Sequence, residues 1–136
     1  MKKGNSLITV PIMLVFSIVV LITIGTLLLN IIQPYIMYEK LLSITLKYMF
    51  VLEEYGYLNS NDIQNIVHDL ALQGFDRNNI VINATNTLQE YGDNVFLDIH
   101  YTYYMNVYMI LPNSLIVRNN LKEVPMHVVK YGVSKR

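Results

Sequence analysis

The chain has 136 residues and a formal net charge of zero, and 53% of its residues are hydrophobic. Without a basic excess it lacks the charge signature of a nucleic-acid-binding protein, so we expect no direct contact with nucleic acid. The absence of cysteine excludes disulfide bonds and thiolate chemistry. The length is sufficient for one folded domain with accessory segments.

The N-terminal part has the pattern of a single membrane-spanning helix. Residues 1–6 form a short basic N-terminus, and residues 7–33 are predicted to cross the membrane. The run from Leu7 to Ile32 contains no charged residue, and it exceeds the roughly 20 apolar residues that a helix needs to span the hydrocarbon core. It is also longer than the apolar core of a secretory signal peptide, which has about 7–15 residues.

Orientation and helix packing follow from a few residues of this segment. Because Lys2 and Lys3 precede the run, the positive-inside rule places the N-terminus in the cytoplasm and the C-terminal part outside. We therefore expect a single-pass protein of the cytoplasmic membrane. Gly25 and Thr26 are small residues that would allow another helix to approach closely.

Residues 34–56 are predicted to continue the same helix outside the membrane. Apolar side chains recur there at helical spacing, and they are Tyr38, Leu41, Leu42, Met49 and Leu52. Gly56 is predicted to end this helix. Asn59 is predicted to cap a second, short helix, with Asp62 as the acidic residue of a capping box.

Residues 57–136 are predicted to form a small outer domain of α+β class. Three segments are strand-like, namely 79–85, 95–109 and 124–133, and the middle one alternates between apolar and polar residues along its length. Pro125 in the third segment indicates an edge strand or a strand start. We expect the long helix and the short helix to pack on a three-stranded antiparallel sheet, with a loop between the last two strands that contains Pro112, Asn113, Asn119 and Asn120.

The chain contains none of the common catalytic or nucleotide-binding motifs, so we expect neither an enzyme nor a cofactor. One cluster keeps a metal-dependent alternative open. Asp98, His100 and His127 would share the outward face of the sheet if the strands pair as predicted, and these residue types bind transition metals. Exposed histidines on a sheet are more often plain polar surface.

The residues from Lys3 to Val10 read Lys-Gly-Asn-Ser-Leu-Ile-Thr-Val. This stretch resembles the start of type IV prepilins, Lys-Gly-Phe-Thr-Leu-Ile-Glu-Val. In that family a membrane peptidase cuts after the glycine and methylates the new N-terminus. The resemblance implies a leader of residues 1–4 and a cut between Gly4 and Asn5. The chain departs from the pattern at Asn5 and at Thr9, where the family carries phenylalanine and the glutamate that pairs with a neighbouring N-terminus.

The whole-chain plan is also similar to the TadE-like pseudopilins and to a related clostridial family of unknown function. These proteins have a short basic N-terminus, one membrane helix, a helical continuation and a small β-rich outer domain. The resemblance implies a structural subunit of a type IV or Tad-like pilus, secretion or DNA-transfer apparatus. Its partners would be the lipid bilayer, copies of itself or other pilin-like subunits, and a prepilin peptidase. The alternative is a single-pass surface protein that binds a partner through its outer sheet.

Overall fold

The computed structural model describes residues 6–107 and 120–136. Its helices and strands follow one another in the order α1 (Ser6–Tyr55), α2 (Ser60–Leu72), β1 (Ile80–Ala84), β2 (Asn94–Val107) and β3 (Asn120–Val133). Pro34–Met105 and Lys122–Arg136 form one compact unit, called the α+β domain below. Residues 6–33, 106–107 and 120–121 belong to a second unit.

The first part of α1 is an exposed apolar helix. An 18-residue window within it has a mean hydropathy of 2.9, and none of that window is buried. Two of its hydroxyl groups bond within the helix, since Ser17 donates to the carbonyl of Met13 at 2.8 Å and Thr23 to that of Val19 at 2.8 Å. Among the described residues, this is the one helix long and apolar enough to cross a membrane.

The later part of α1 supplies the helical face of the α+β domain's core. Its buried residues recur at intervals of three and four, as on one face of an amphipathic helix, and they are Leu41, Ile44, Thr45, Tyr48, Met49 and Leu52. The prediction that Leu41, Met49 and Leu52 face a core is therefore confirmed. Tyr38, which has the same helical spacing, is exposed, and Leu42 is only partly buried.

The predicted end of α1 and the predicted start of α2 are both confirmed. Gly56 adopts a φ of +76° directly after α1, and its N–H donates to the carbonyl of Leu52 at 2.8 Å, as expected of a glycine at a helix C-terminus. Asn59 caps α2, because its side chain accepts from the N–H of Asp62 at 2.9 Å while the Asp62 carboxylate accepts from the N–H of Asn59 at 3.0 Å. This reciprocal pair is a capping box.

The three strands form one antiparallel sheet in the order β1-β2-β3. In the β1–β2 register Asn83 lies opposite Asp98 and Val81 opposite His100. One face of the sheet packs on α1 and α2. The buried residues of the sheet that belong to this core are Val95, Leu97, Ile99 and Tyr101 on β2, and Met126 and Val128 on β3. The predicted α+β arrangement is confirmed.

Four strand boundaries differ from the sequence prediction. Two of these differences, each of one residue, are that β1 ends at Ala84 instead of residue 85 and that β2 begins at Asn94 instead of residue 95. β1 begins at Ile80 because Asp76 caps a short 3-10 turn over Arg77–Asn79, accepting from the N–H of Asn78 at 2.9 Å. β3 begins at Asn120 instead of at residue 124, so Asn120 belongs to a strand and not to the predicted loop. Pro125 lies inside β3, which is an edge strand of the sheet. The remaining residues of that loop, and the last two of the predicted middle strand, lie outside the described residues.

Candidate functional site

The outward face of the sheet carries a polar cluster at its centre. Asp98 and His100 are two positions apart on β2, so they share one face of the strand, and His127 comes from β3. Each of the three lies between two residues whose side chains are buried in the core. The backbone under the cluster is therefore held by the packing of the opposite face.

The three side chains are in direct contact. The Nε2 atom of His127 lies 2.7 Å from Oδ1 of Asp98, and the Nε2 atom of His100 lies 3.2 Å from the same carboxylate. The two imidazole rings are stacked, with centroids 3.9 Å apart and planes inclined by 13°. Both histidines thus present the same ring nitrogen to one carboxylate.

The cluster combines partial exposure with a compact set of donor atoms. The side chains of Asp98, His100 and His127 retain 20%, 47% and 50% of their accessible surface. One nitrogen from each histidine and one carboxylate oxygen all lie within 4.8 Å of one another, a set of atoms that could hold a metal ion. The structure therefore brings together the three residues that the sequence singled out.

Comparisons with protein-family models, with curated proteins and with solved structures found no match for the chain. Function is therefore inferred from the chain's own residues and their geometry. Those comparisons leave the resemblance to pilin-like proteins a hypothesis.

Exposed aromatic side chains occupy other outward positions of the two strands that carry the cluster. Phe96 and Tyr104 belong to the outward positions of β2, and Tyr131, which is 78% exposed, to those of β3. Tyrosine and phenylalanine are enriched where proteins contact partners, since they offer a large apolar area and, in tyrosine, a polar group. This face has the composition of a contact surface.

A second polar network joins α1 to α2 on the helical side of the domain. The carboxylate of Asp69 accepts from Lys47 Nζ at 2.7 Å and from the Tyr48 hydroxyl at 3.0 Å. These hydrogen bonds, first that from Lys47 and then that from Tyr48, hold the pKa of Asp69 below its usual value. The sequence analysis did not predict this network, although an acidic residue on the predicted short helix could have indicated a partner on the long helix.

Of the residues predicted for processing and helix packing, only the helix-packing pair lies within the described residues. Gly4 and Asn5 lie outside the described residues. Gly25 lies within the exposed part of α1, and a Cβ added there would meet nothing within 4 Å. The Thr26 hydroxyl bonds to its own helix, at 2.9 Å from the carbonyl of Thr23. A close approach of a second helix at Gly25 and Thr26 stays a prediction.

Proposed function

We propose that the chain is a membrane-anchored, pilin-like subunit that acts by assembly through its N-terminal helix. One observation carries the proposal. A single continuous helix, α1, exposes an uncharged apolar surface in its first part and provides core residues of an α+β domain in its later part. This division of one helix matches the plan that the resemblance implies.

The physical argument starts from the exposed apolar surface of α1. Its side chains from Ile8 to Ile32 include many large hydrophobic groups that nothing in the described structure covers. Such a surface is stable in lipid. It is also stable in a bundle of similar helices, where dispersion contacts replace those made with lipid tails. Gly25 is the position where two such helices could approach most closely, because a glycine removes the side chain from the interface.

Two features at the N-terminus support the same proposal. The Lys3-Gly4 pair before an apolar run resembles a prepilin leader. Lys2 and Lys3 also favour a cytoplasmic N-terminus, which would place the α+β domain outside the cell. Thr9 replaces the glutamate found in the family, so assembly of this subunit would proceed without that carboxylate.

Topology can be tested directly, because the chain has no cysteine. A single cysteine introduced at the exposed Asn83 should react with a membrane-impermeant maleimide in intact cells. A single cysteine introduced in place of Ser6, which stays in the chain after a cut between Gly4 and Asn5 and leaves both lysines in place, should react only after the membrane is opened. Labelling of the Ser6 variant alone in intact cells would show the reverse orientation and contradict the proposal.

Assembly is tested in the native host by shearing surface filaments and sequencing the N-terminus of this chain within them. We expect the chain in the sheared fraction, beginning at Asn5. A Gly4→Leu variant is expected to keep its leader and to remain in the membrane, whereas a Gly25→Ala control should still be processed. A chain that begins at Met1 and stays entirely in the membrane fraction would overturn the proposal.

The exposed aromatic face favours a second candidate, a single-pass surface protein that binds a partner through its sheet. In that case Tyr131→Ser and Tyr104→Ser should abolish crosslinks from the sheet to a different protein. The apolar part of α1 should then form no crosslinks between copies of this chain. Pilin-like assembly predicts the opposite result. A single cysteine at Gly25 should then form disulfide-linked dimers of this chain, and the two tyrosine substitutions should not affect them.

A further inference from the structure

We propose that Asp98, His100 and His127 form a binding site for a divalent first-row transition metal ion, with Zn²⁺ the best fit. The site lies on the outward face of the sheet, and it is independent of the membrane helix and of pilin-like assembly. It would hold the ion through two imidazole nitrogens and one carboxylate oxygen, with at least one further position open to water.

The donor set determines the class of metal. Imidazole nitrogen suits Zn²⁺, Cu²⁺ and Ni²⁺, whereas Ca²⁺ and Mg²⁺ prefer sites made entirely of oxygen. Two histidines and one carboxylate are also the ligands of several zinc sites that keep an open fourth position. This chemistry therefore favours a transition metal over the alkaline-earth cations.

The distances between the ligand atoms show which rearrangement an entering ion requires. Zn–N and Zn–O bonds of about 2.0–2.2 Å place neighbouring ligand atoms of a tetrahedral site about 3.3–3.6 Å apart. Asp98 Oδ1 lies 2.7 Å from Nε2 of His127, and the carboxylate lies 3.2 Å from Nε2 of His100. Each nitrogen must therefore move less than about 1 Å from the carboxylate to reach this spacing. The stacked imidazole rings must also tilt toward a common point, because a metal ion lies in the plane of each ring that binds it.

The scaffold restrains the ligands before any ion binds. Asp98 lies between Leu97 and Ile99, which are both fully buried. His127 lies between Met126 and Val128, which are nearly so. A site on paired strands is more precisely held than one on loops, and this lowers the entropic cost of binding.

The neighbouring strand supplies a polar residue beside the ligands. Asn83 on β1 lies directly opposite Asp98, and side chains at opposed positions of an antiparallel pair have Cβ atoms about 4.5–5.5 Å apart. An amide at this distance can orient a ligating carboxylate through a hydrogen bond, as polar groups around metal ligands commonly do.

The chain contains a matched control for this proposal. His68 is the third histidine of the sequence, and it is exposed on α2, outside the cluster. His68→Ala removes the same side chain as His127→Ala and leaves the three proposed ligands intact. Both substitutions are at exposed positions, so neither creates a cavity in the core.

The test uses the full chain in detergent micelles, purified with a tag that contains no histidine. Titration with Zn²⁺ alone, followed by calorimetry, should give one ion per chain for the parent protein and for His68→Ala. His100→Ala and His127→Ala should each weaken binding at least about tenfold, because each removes a ligand. Titration with Co²⁺ should produce visible absorption bands of a low-symmetry site in the parent chain, and these bands should be absent in His127→Ala.

Thermal unfolding separates a lost site from a lost fold. Without metal, the His127→Ala variant should unfold at the same temperature as the parent, and added Zn²⁺ should raise the midpoint of the parent only. The proposal is overturned if the parent shows no saturable Zn²⁺ binding. It is equally overturned if His68→Ala weakens binding as much as His127→Ala, or if Ca²⁺ competes with Zn²⁺ at equal concentration.

Discussion

The turn at Gly56 should tolerate a side chain poorly, because both its backbone conformation and its surroundings oppose one. Gly56 has a φ of +76°, and a Cβ added there would lie 2.7 Å from the backbone oxygen of Gln89 and 3.0 Å from Oγ of Ser134. A left-handed conformation costs an alanine about 1–2 kcal/mol. Overpacking against neighbours adds about 1–3 kcal/mol. We therefore expect Gly56→Ala to lower the free energy of unfolding by about 2–5 kcal/mol, a large share of the 5–15 kcal/mol typical of a domain.

The backbone around Gly56 leaves little room for relaxation. Its N–H is bonded to Leu52, and its carbonyl accepts from the N–H of Gln89 at 3.2 Å. The atom that meets the added Cβ most closely is thus the main-chain oxygen of a residue already bonded to Gly56. Moving it would lengthen a hydrogen bond between the end of α1 and the segment before β2.

Gly74 is the matched control for this substitution. It also has a positive φ, of +95°, but a Cβ added there meets nothing within 4 Å. Gly74→Ala should therefore lower the free energy of unfolding only by the cost of the left-handed conformation, about 1–2 kcal/mol. Urea unfolding of the full chain in micelles, followed by tyrosine fluorescence, gives both free energies from the midpoint and slope. Equal losses for the two variants would refute the contact argument at Gly56.

Three further predictions address the cap, the helix–helix network and the membrane segment. Asn59→Ala should destabilise the domain by about 1 kcal/mol in urea unfolding, and an unchanged midpoint would contradict the capping role. The pKa of Asp69 is depressed in the folded state, so its contribution to stability is present above the unfolded pKa of about 3.9 and is lost as the pH falls through the folded pKa. Asp69→Asn should therefore reduce the fall in the free energy of unfolding at acid pH. Identical falls in the parent and the variant would rule out this contribution of Asp69. Val20→Arg places a charge inside the apolar run at a cost of about 2.5–3.5 kcal/mol, and it should reduce the fraction of chain that resists carbonate extraction of membranes, whereas Val20→Leu should not.

Local patterns predicted much of this fold correctly, because each depends on residues close together in the chain. The apolar run in α1 needs only the absence of charge over a sufficient length. The stop at Gly56 needs one residue that tolerates a positive φ. The capping box at Asn59 and Asp62 is formed within one helical turn, and the alternation along β2 follows from a two-residue repeat.

The errors arose where contacts at a distance outweighed those patterns. β3 begins at Asn120, although the loop-forming asparagines at its start favoured a later strand. Lys47 and Asp69 are 22 positions apart, so their pairing depends on how α2 packs against α1. Tyr38 has the correct spacing for the core stripe, but it is exposed in the structure.

The sequence alone thus determined the candidate membrane-spanning segment, the two helices and the inward and outward faces of the middle strand. These are local properties, set by charge, backbone conformation and side-chain periodicity. Only the tertiary structure decided that His127 lies 2.7 Å from Asp98, a residue 29 positions away. The physical reason is that strand register is set by the packing of the whole inward face on α1 and α2, since a slip of one residue would turn the buried side chains outward.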